Sequence, residues 1–195
     1  MSLTATAGGD TPKKQLPTGL HPAILIWIID IGQQETPWGW KPRVMFTFEL
    51  PKQVIEIEGE GFKPMVHSEE ISPFIWETSN LGKFLQGWFG KLPKEAFDLK
   101  KLLGKPCMLN IIHKDNGYPK INSISPPTAE AKNFQPTNDL LVYELGSGEP
   151  IPEKLPDWIK LKIMNSREWN ERGQMPLNDY PNKISDETNP EDIPF

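Results

Sequence analysis

The sequence predicts an all-β fold with a single helix set between its third and fourth strands. Three features carry that expectation: apolar runs built from β-branched residues, a strict alternation over residues 43–50, and an Asn-Gly turn at 116–117 between two β-rich runs.

Residues 1–19 are rich in Thr, Gly, Pro and Lys and carry no apolar period, so they read as a flexible arm. From Leu20 to Ile31 runs a segment with five isoleucines and Trp27, bounded by Gly19 and Gly32, which suits a long first strand. A polar, aromatic loop spans Gln33 to Pro42. The second strand follows, with Val44, Phe46, Phe48 and Leu50 on a core face and Arg43, Met45, Thr47 and Glu49 on the other, which is expected to be free. Residues 54–57 and 65–72 read as a third strand interrupted by a kink or a hairpin at Gly59, Gly61 and Pro64.

Ser79-Asn80 suits a helix cap, and Leu81, Phe84, Leu85 and Trp88 fall at helical spacing before Gly90. A fourth strand is expected over 106–113 and a fifth over 118–124, joined by Lys114-Asp-Asn-Gly117. Strand, strand, strand, helix, strand, strand is the order of the five-stranded OB barrel, so residues 20–127 are expected to form that domain. Residues 128–173 read as a connector with one apolar patch, Leu140 to Tyr143, and a C-terminal helix over 157–172. Trp158, Leu161 and Met164 are its expected packing face. Residues 174–195 read as a disordered acidic tail.

A chain of 195 residues with 37% hydrophobic content suits one core with tails rather than two full domains. Its longest apolar run, Ala23 to Ile29, is too short to cross a bilayer, and the first residues lack a basic region followed by an apolar stretch. The expectation is a soluble, cytoplasmic protein with no membrane partner. Cys107 is the only cysteine, which excludes an internal disulfide and a multi-cysteine zinc cluster.

The net charge of −5 is unevenly spread. Residues 1–126 hold 14 Lys/Arg against 13 Asp/Glu, and residues 127–195 hold 7 against 13. Residues 91–126 are locally basic, with seven lysines against three acidic residues. An acidic chain can therefore still present a basic surface to nucleic acid.

The last residues, Asp186-Glu-Thr-Asn-Pro-Glu-Asp-Ile-Pro-Phe195, resemble the tail tip of bacterial single-stranded DNA-binding proteins, where acidic residues precede a final Ile-Pro-Phe. Phe195 offers a ring for an apolar pocket, and the carboxylates upstream steer toward basic partners. The resemblance implies that Glu191, Asp192, Ile193, Pro194 and Phe195 bind replication and repair proteins. Thr188, Asn189 and Pro190 dilute the acidic run relative to that pattern. The segments 23–32, 41–50 and 97–110, with Asn116-Gly-Tyr118, resemble phage-encoded single-stranded DNA-binding proteins, implying a role in phage replication or recombination inside a bacterial host.

OB folds bind single strands across strands two and three and through the loops joining strands one to two and four to five. Trp38 and Trp40 in the first loop suit base stacking, with Lys41 and Arg43 beside them for phosphates. Lys114, Tyr118 and Lys120 repeat the pattern in the second loop, and Met45 and Thr47 are expected on the free face between. The competing readings pack Trp38 and Trp40 against the barrel end and Tyr118 across its hairpin.

His21, His67 and His113 have no partner at metal spacing, and no phosphate cradle or nucleophile motif occurs, so no catalytic residue, metal or cofactor is expected. Two other classes compete with a single-stranded DNA-binding module. One is a protein–protein adaptor without nucleic-acid binding, and the other is a metal-dependent nuclease built on pairs such as Glu56/Glu58 and Glu69-Glu70. DNA versus RNA, and monomer versus homo-oligomer, are left open.

Overall fold

The computed structural model describes residues 15–171. The chain is mostly β: β1 (Gly19–Thr36), β2 (Gly39–Ile57) and β3 (Gly61–Ile71) form an antiparallel meander. After it come α1 (Asn80–Phe89), a 3₁₀ turn (Leu99–Leu102), β4 (Pro106–His113) and β5 (Pro119–Ser125). The strand order is β3-β2-β1-β4-β5, with the short β6 (Leu141–Tyr143) parallel to β1. This ladder ends at β3 on one side and β5 on the other, so the sheet is not closed into the expected barrel. One link crosses between them: Ile121 N donates to Glu69 Oε2 at 3.5 Å.

The interruption expected in a third strand is a hairpin. Residues 54–57 end β2 and pair with 61–64 of β3, in the register Val54↔Pro64 to Ile57↔Gly61. The expected arm is shorter than 19 residues, because Leu16 is buried in the core and its carbonyl meets His113 Nε2 at 2.7 Å.

β1 serves two cores because it is bulged. Its register with β2 slips between Leu25 and Trp27 and again between Asp30 and Gln33, which resets which face each side chain takes. Ala23, Leu25 and Ile28 face the inner core, together with Val44, Phe46, Phe48 and Leu50 of β2. Leu81, Phe84, Leu85 and Trp88 of α1 cover that core, and Trp88 Nε1 donates to the Pro106 carbonyl at 2.9 Å. Ser79 caps the helix start by accepting from Gly82 N, and Gly90 ends it in the left-handed region.

Ile29 and Ile31 face the other way, into a second core with Met45, Tyr143, Leu145, Leu155, Ile159 and Ile163. That core is made by the C-terminal segment folding over β1 and β2. α2 (Asp157–Met164) and α3 (Arg167–Glu171) replace the single expected helix, and Asn165-Ser166 separates them. Ser166 is buried; its hydroxyl donates to the Ile163 carbonyl and accepts from Trp169 N. The packing stripe is Ile159 and Ile163, one turn apart, whereas the expected stripe of Trp158, Leu161 and Met164 is exposed. Gly32 permits the closure: its φ is +69°, and a Cβ there would lie 2.7 Å from both Leu145 and Ser166.

Candidate nucleic-acid interface

The β1–β2 turn puts Trp38 at its tip. Thr36 pairs with Gly39, leaving Pro37 and Trp38 as the turn residues. The Thr36 hydroxyl donates to the Gly39 carbonyl at 2.6 Å and accepts from Trp38 N at 3.2 Å, which fixes the turn from inside. Trp38 is 83% exposed, so it does not pack against the end of the sheet, whereas Trp40 is 39% exposed and keeps most of its surface covered. Lys41 is exposed beside them. As strand neighbours, Trp40 and Lys41 point to opposite faces.

The β4–β5 turn is equally open. Gly117 N donates to the Lys114 carbonyl and Lys114 N to the Tyr118 carbonyl, closing the turn around Asn-Gly. Tyr118 is 66% exposed, and Lys114 and Lys120 are exposed with it. Tyr118 therefore does not pack across its hairpin.

The register separates the two turns. β4 pairs with the first part of β1, from Gly19↔Ile111 to Ile24↔Pro106, so the β4–β5 turn lies beyond the start of β1. The β1–β2 turn lies at its other end.

The expected bridge between them is where the structure departs from the sequence reading. Met45 and Thr47 are buried. Met45 lies under the second core, and the Thr47 hydroxyl sits 2.8 Å from that of Ser68 on β3. Both leave the candidate interface. Arg43 is half-buried, with Nε 3.6 Å from Glu70, and the same carboxylate accepts from Lys162 of α2 at 2.8 Å. Arg43 is thus committed to a pair within the protein rather than presented to a phosphate.

Glu49 holds the cover in place. It is fully buried on the outer face of β2 and accepts from Thr137 N, Asn138 N and Asn138 Nδ2 at 2.7 to 3.1 Å. Beside it Lys52 pairs with Glu130 and lies over the Phe134 ring, 5.7 Å from its centre. Trp27 Nε1 donates to the Asp139 carbonyl at 3.1 Å, next to the pairing of β6 with β1. A buried carboxylate collecting backbone donors has no local sequence signature, because the donors lie 88 and 89 positions away.

Adjacent carboxylates do not converge. Glu69 is paired with Phe46 and Glu70 with Met45, so the two point to opposite faces of β3. Among the described residues, no three or more His, Cys, Asp or Glu side chains gather to hold a metal. His21 is held by the Pro17 carbonyl and the Gln53 amide. Burial pushes the Cys107 thiol well up, away from the reactive thiolate. Burial also raises the Asp30 carboxyl above its ordinary 3.8, against the opposing pull of the Gly32 N–H. No helix among the described residues is long and apolar enough to cross a membrane. Glu191, Asp192, Ile193, Pro194 and Phe195 lie outside the described residues.

No protein-family model matches the chain, and no curated protein does.

Proposed function

We propose that the chain is a non-catalytic, single-stranded DNA-binding module of phage replication or recombination, with an OB-type sheet. The observation that carries this reading is the β1–β2 turn, where Trp38 stands exposed at the tip, with Trp40 partly exposed and Lys41 exposed in the strand that follows. Exposed indole rings have a desolvation reason to take a partner, and every base offers a face to stack on. Tyr118 with Lys114 and Lys120 supplies the same chemistry in a second turn. The strand order, the helix between β3 and β4, and the Ile121–Glu69 link between the outer strands favour the OB type. The tail tip at Ile193-Pro194-Phe195 would then recruit replication and repair enzymes to the bound strand.

Backbone charge and stacking carry such binding, so it is salt-sensitive and weakly sequence-selective. A salt titration of oligo-dT against a duplex of equal length tests it. Tighter binding of the single strand, weakening with salt, supports the reading; equal affinity for both, or none for either, overturns it.

One observation favours the adaptor reading: Trp158, Leu161 and Met164 make an exposed apolar stripe on α2. A protein that ignores DNA but loses a protein partner on Trp158→Ala would belong to that class.

A further inference from the structure

The loop between β3 and α1 carries two aromatic residues that neither core uses. Residues 74–76 alternate: Ile75 packs against the inner core, while Phe74 and Trp76 on either side of it are 43% and 53% exposed. Their rings stack on each other with centroids 5.2 Å apart and planes 17° from parallel. The core therefore anchors the segment through Ile75 and leaves both rings on the solvent side.

The loop is fixed rather than left to find its shape on binding. Trp76 N donates to the Ser79 hydroxyl, and that hydroxyl and Ser79 N both donate to the Trp76 carbonyl. The same hydroxyl accepts from Gly82 N in the first turn of α1. Gly82 is what lets the loop close, because a Cβ there would lie 2.0 Å from the Trp76 carbonyl oxygen. A pre-ordered platform forfeits little conformational entropy when a ligand arrives.

Its position continues the candidate interface. The last β2–β3 pair is Val44↔Ile71, so the loop leaves the sheet at the end where the β1–β2 turn stands. Glu77 is the only charged residue in 72–79, so the loop can stack bases but cannot neutralise phosphates.

We propose that Phe74 and Trp76 form a second stacking platform for single-stranded nucleic acid, at the sheet end that carries Trp38 and Trp40. This rests on the single-strand-binding reading above and adds to it a site that contributes affinity without salt dependence. Base stacking on an aromatic is worth enough that losing both rings weakens binding roughly tenfold to a hundredfold. Because no phosphate contact goes with them, the slope of log affinity against log salt stays as in the wild type.

The test is oligo-dT binding by the full chain across a salt series, for the wild type and the Phe74→Ala/Trp76→Ala double variant, with thermal melts of both. A weaker double variant with an unchanged melt and an unchanged slope supports the platform. A double variant that binds like the wild type overturns it while leaving the single-strand reading intact. A wild type that binds no single strand overturns both. Should the double variant melt early, photo-crosslinking of bromodeoxyuridine-substituted strand to the wild type decides. Crosslinks within residues 72–79 support the platform, and crosslinks at Trp38 with none in 72–79 overturn it.

Discussion

The outer face of β2 and the turn that leads into it lie within a few residues of each other, yet the face is largely buried and the turn is exposed. Met45 and Glu49 are covered by residues 137–164, Thr47 is buried against Ser68 and Arg43 is half-buried, whereas Trp38 and Lys41 are exposed. A strand face that is half polar in sequence is therefore not an open face. Its polar members are here consumed inside the protein: Thr47 by Ser68, Glu49 by the 137–138 backbone, Arg43 by a carboxylate it shares with Lys162. The exposed rings lie at the ends of the strands, with Trp38 in the β1–β2 turn and Tyr118 in the β4–β5 turn.

The largest expected effect comes from breaking the cover at its buried acceptor, Glu49. Glu49→Ala strands the three donors of Thr137 and Asn138, each costing about 1–3 kcal/mol if left unsatisfied, and unfolding by denaturant is expected to show a loss of about 3–5 kcal/mol. Ile163→Ala, in the packed stripe of α2, is expected to cost about 2–5 kcal/mol in the same assay. Trp158→Ala, on the exposed stripe of that helix, is expected to stay within about 0.5 kcal/mol. Equal losses for the last two would mean that α2 sits the other way round on β1 and β2.

A smaller effect belongs to Asp30. Its folded value is the higher one, so its protonated form favours the fold. That contribution is fully present below pH 3.8 and declines as pH rises through the folded value. Asp30→Asn has no such dependence, so denaturation across the acidic range is expected to show the variant gaining on the wild type as pH rises. Parallel curves would place Asp30 in contact with water.

Those contrasts also mark what the sequence made legible. α1, β4 and the Asn-Gly hairpin were readable because their signals are local: a cap at Ser79, an apolar period ending at Trp88, a turn dipeptide at 116–117. The expected loop over 33–42 is instead paired strand with a two-residue turn at Pro37-Trp38, because the alternation that marks a strand is weak in that polar stretch. What covers β2 was not readable, since Glu49 and its donors are almost ninety positions apart and periodicity is blind to that distance. α2 misled because it carries two apolar stripes, and the larger one, with Trp158 and Leu161, lies outward. The join of β3 to β5 was assumed from strand order, and in the structure it amounts to a side-chain link through Glu69 rather than a ladder.

The most direct measurement compares oligo-dT affinity for the wild type, Trp38→Ala/Trp40→Ala and Met45→Leu at one salt concentration. Binding at the turn requires the first variant to lose roughly 1–3 kcal/mol for each ring that stacks a base, and the second to bind like the wild type. If the tryptophan variant binds normally and Met45→Leu weakens binding, the strand face is the interface after all and the cover must open to admit DNA.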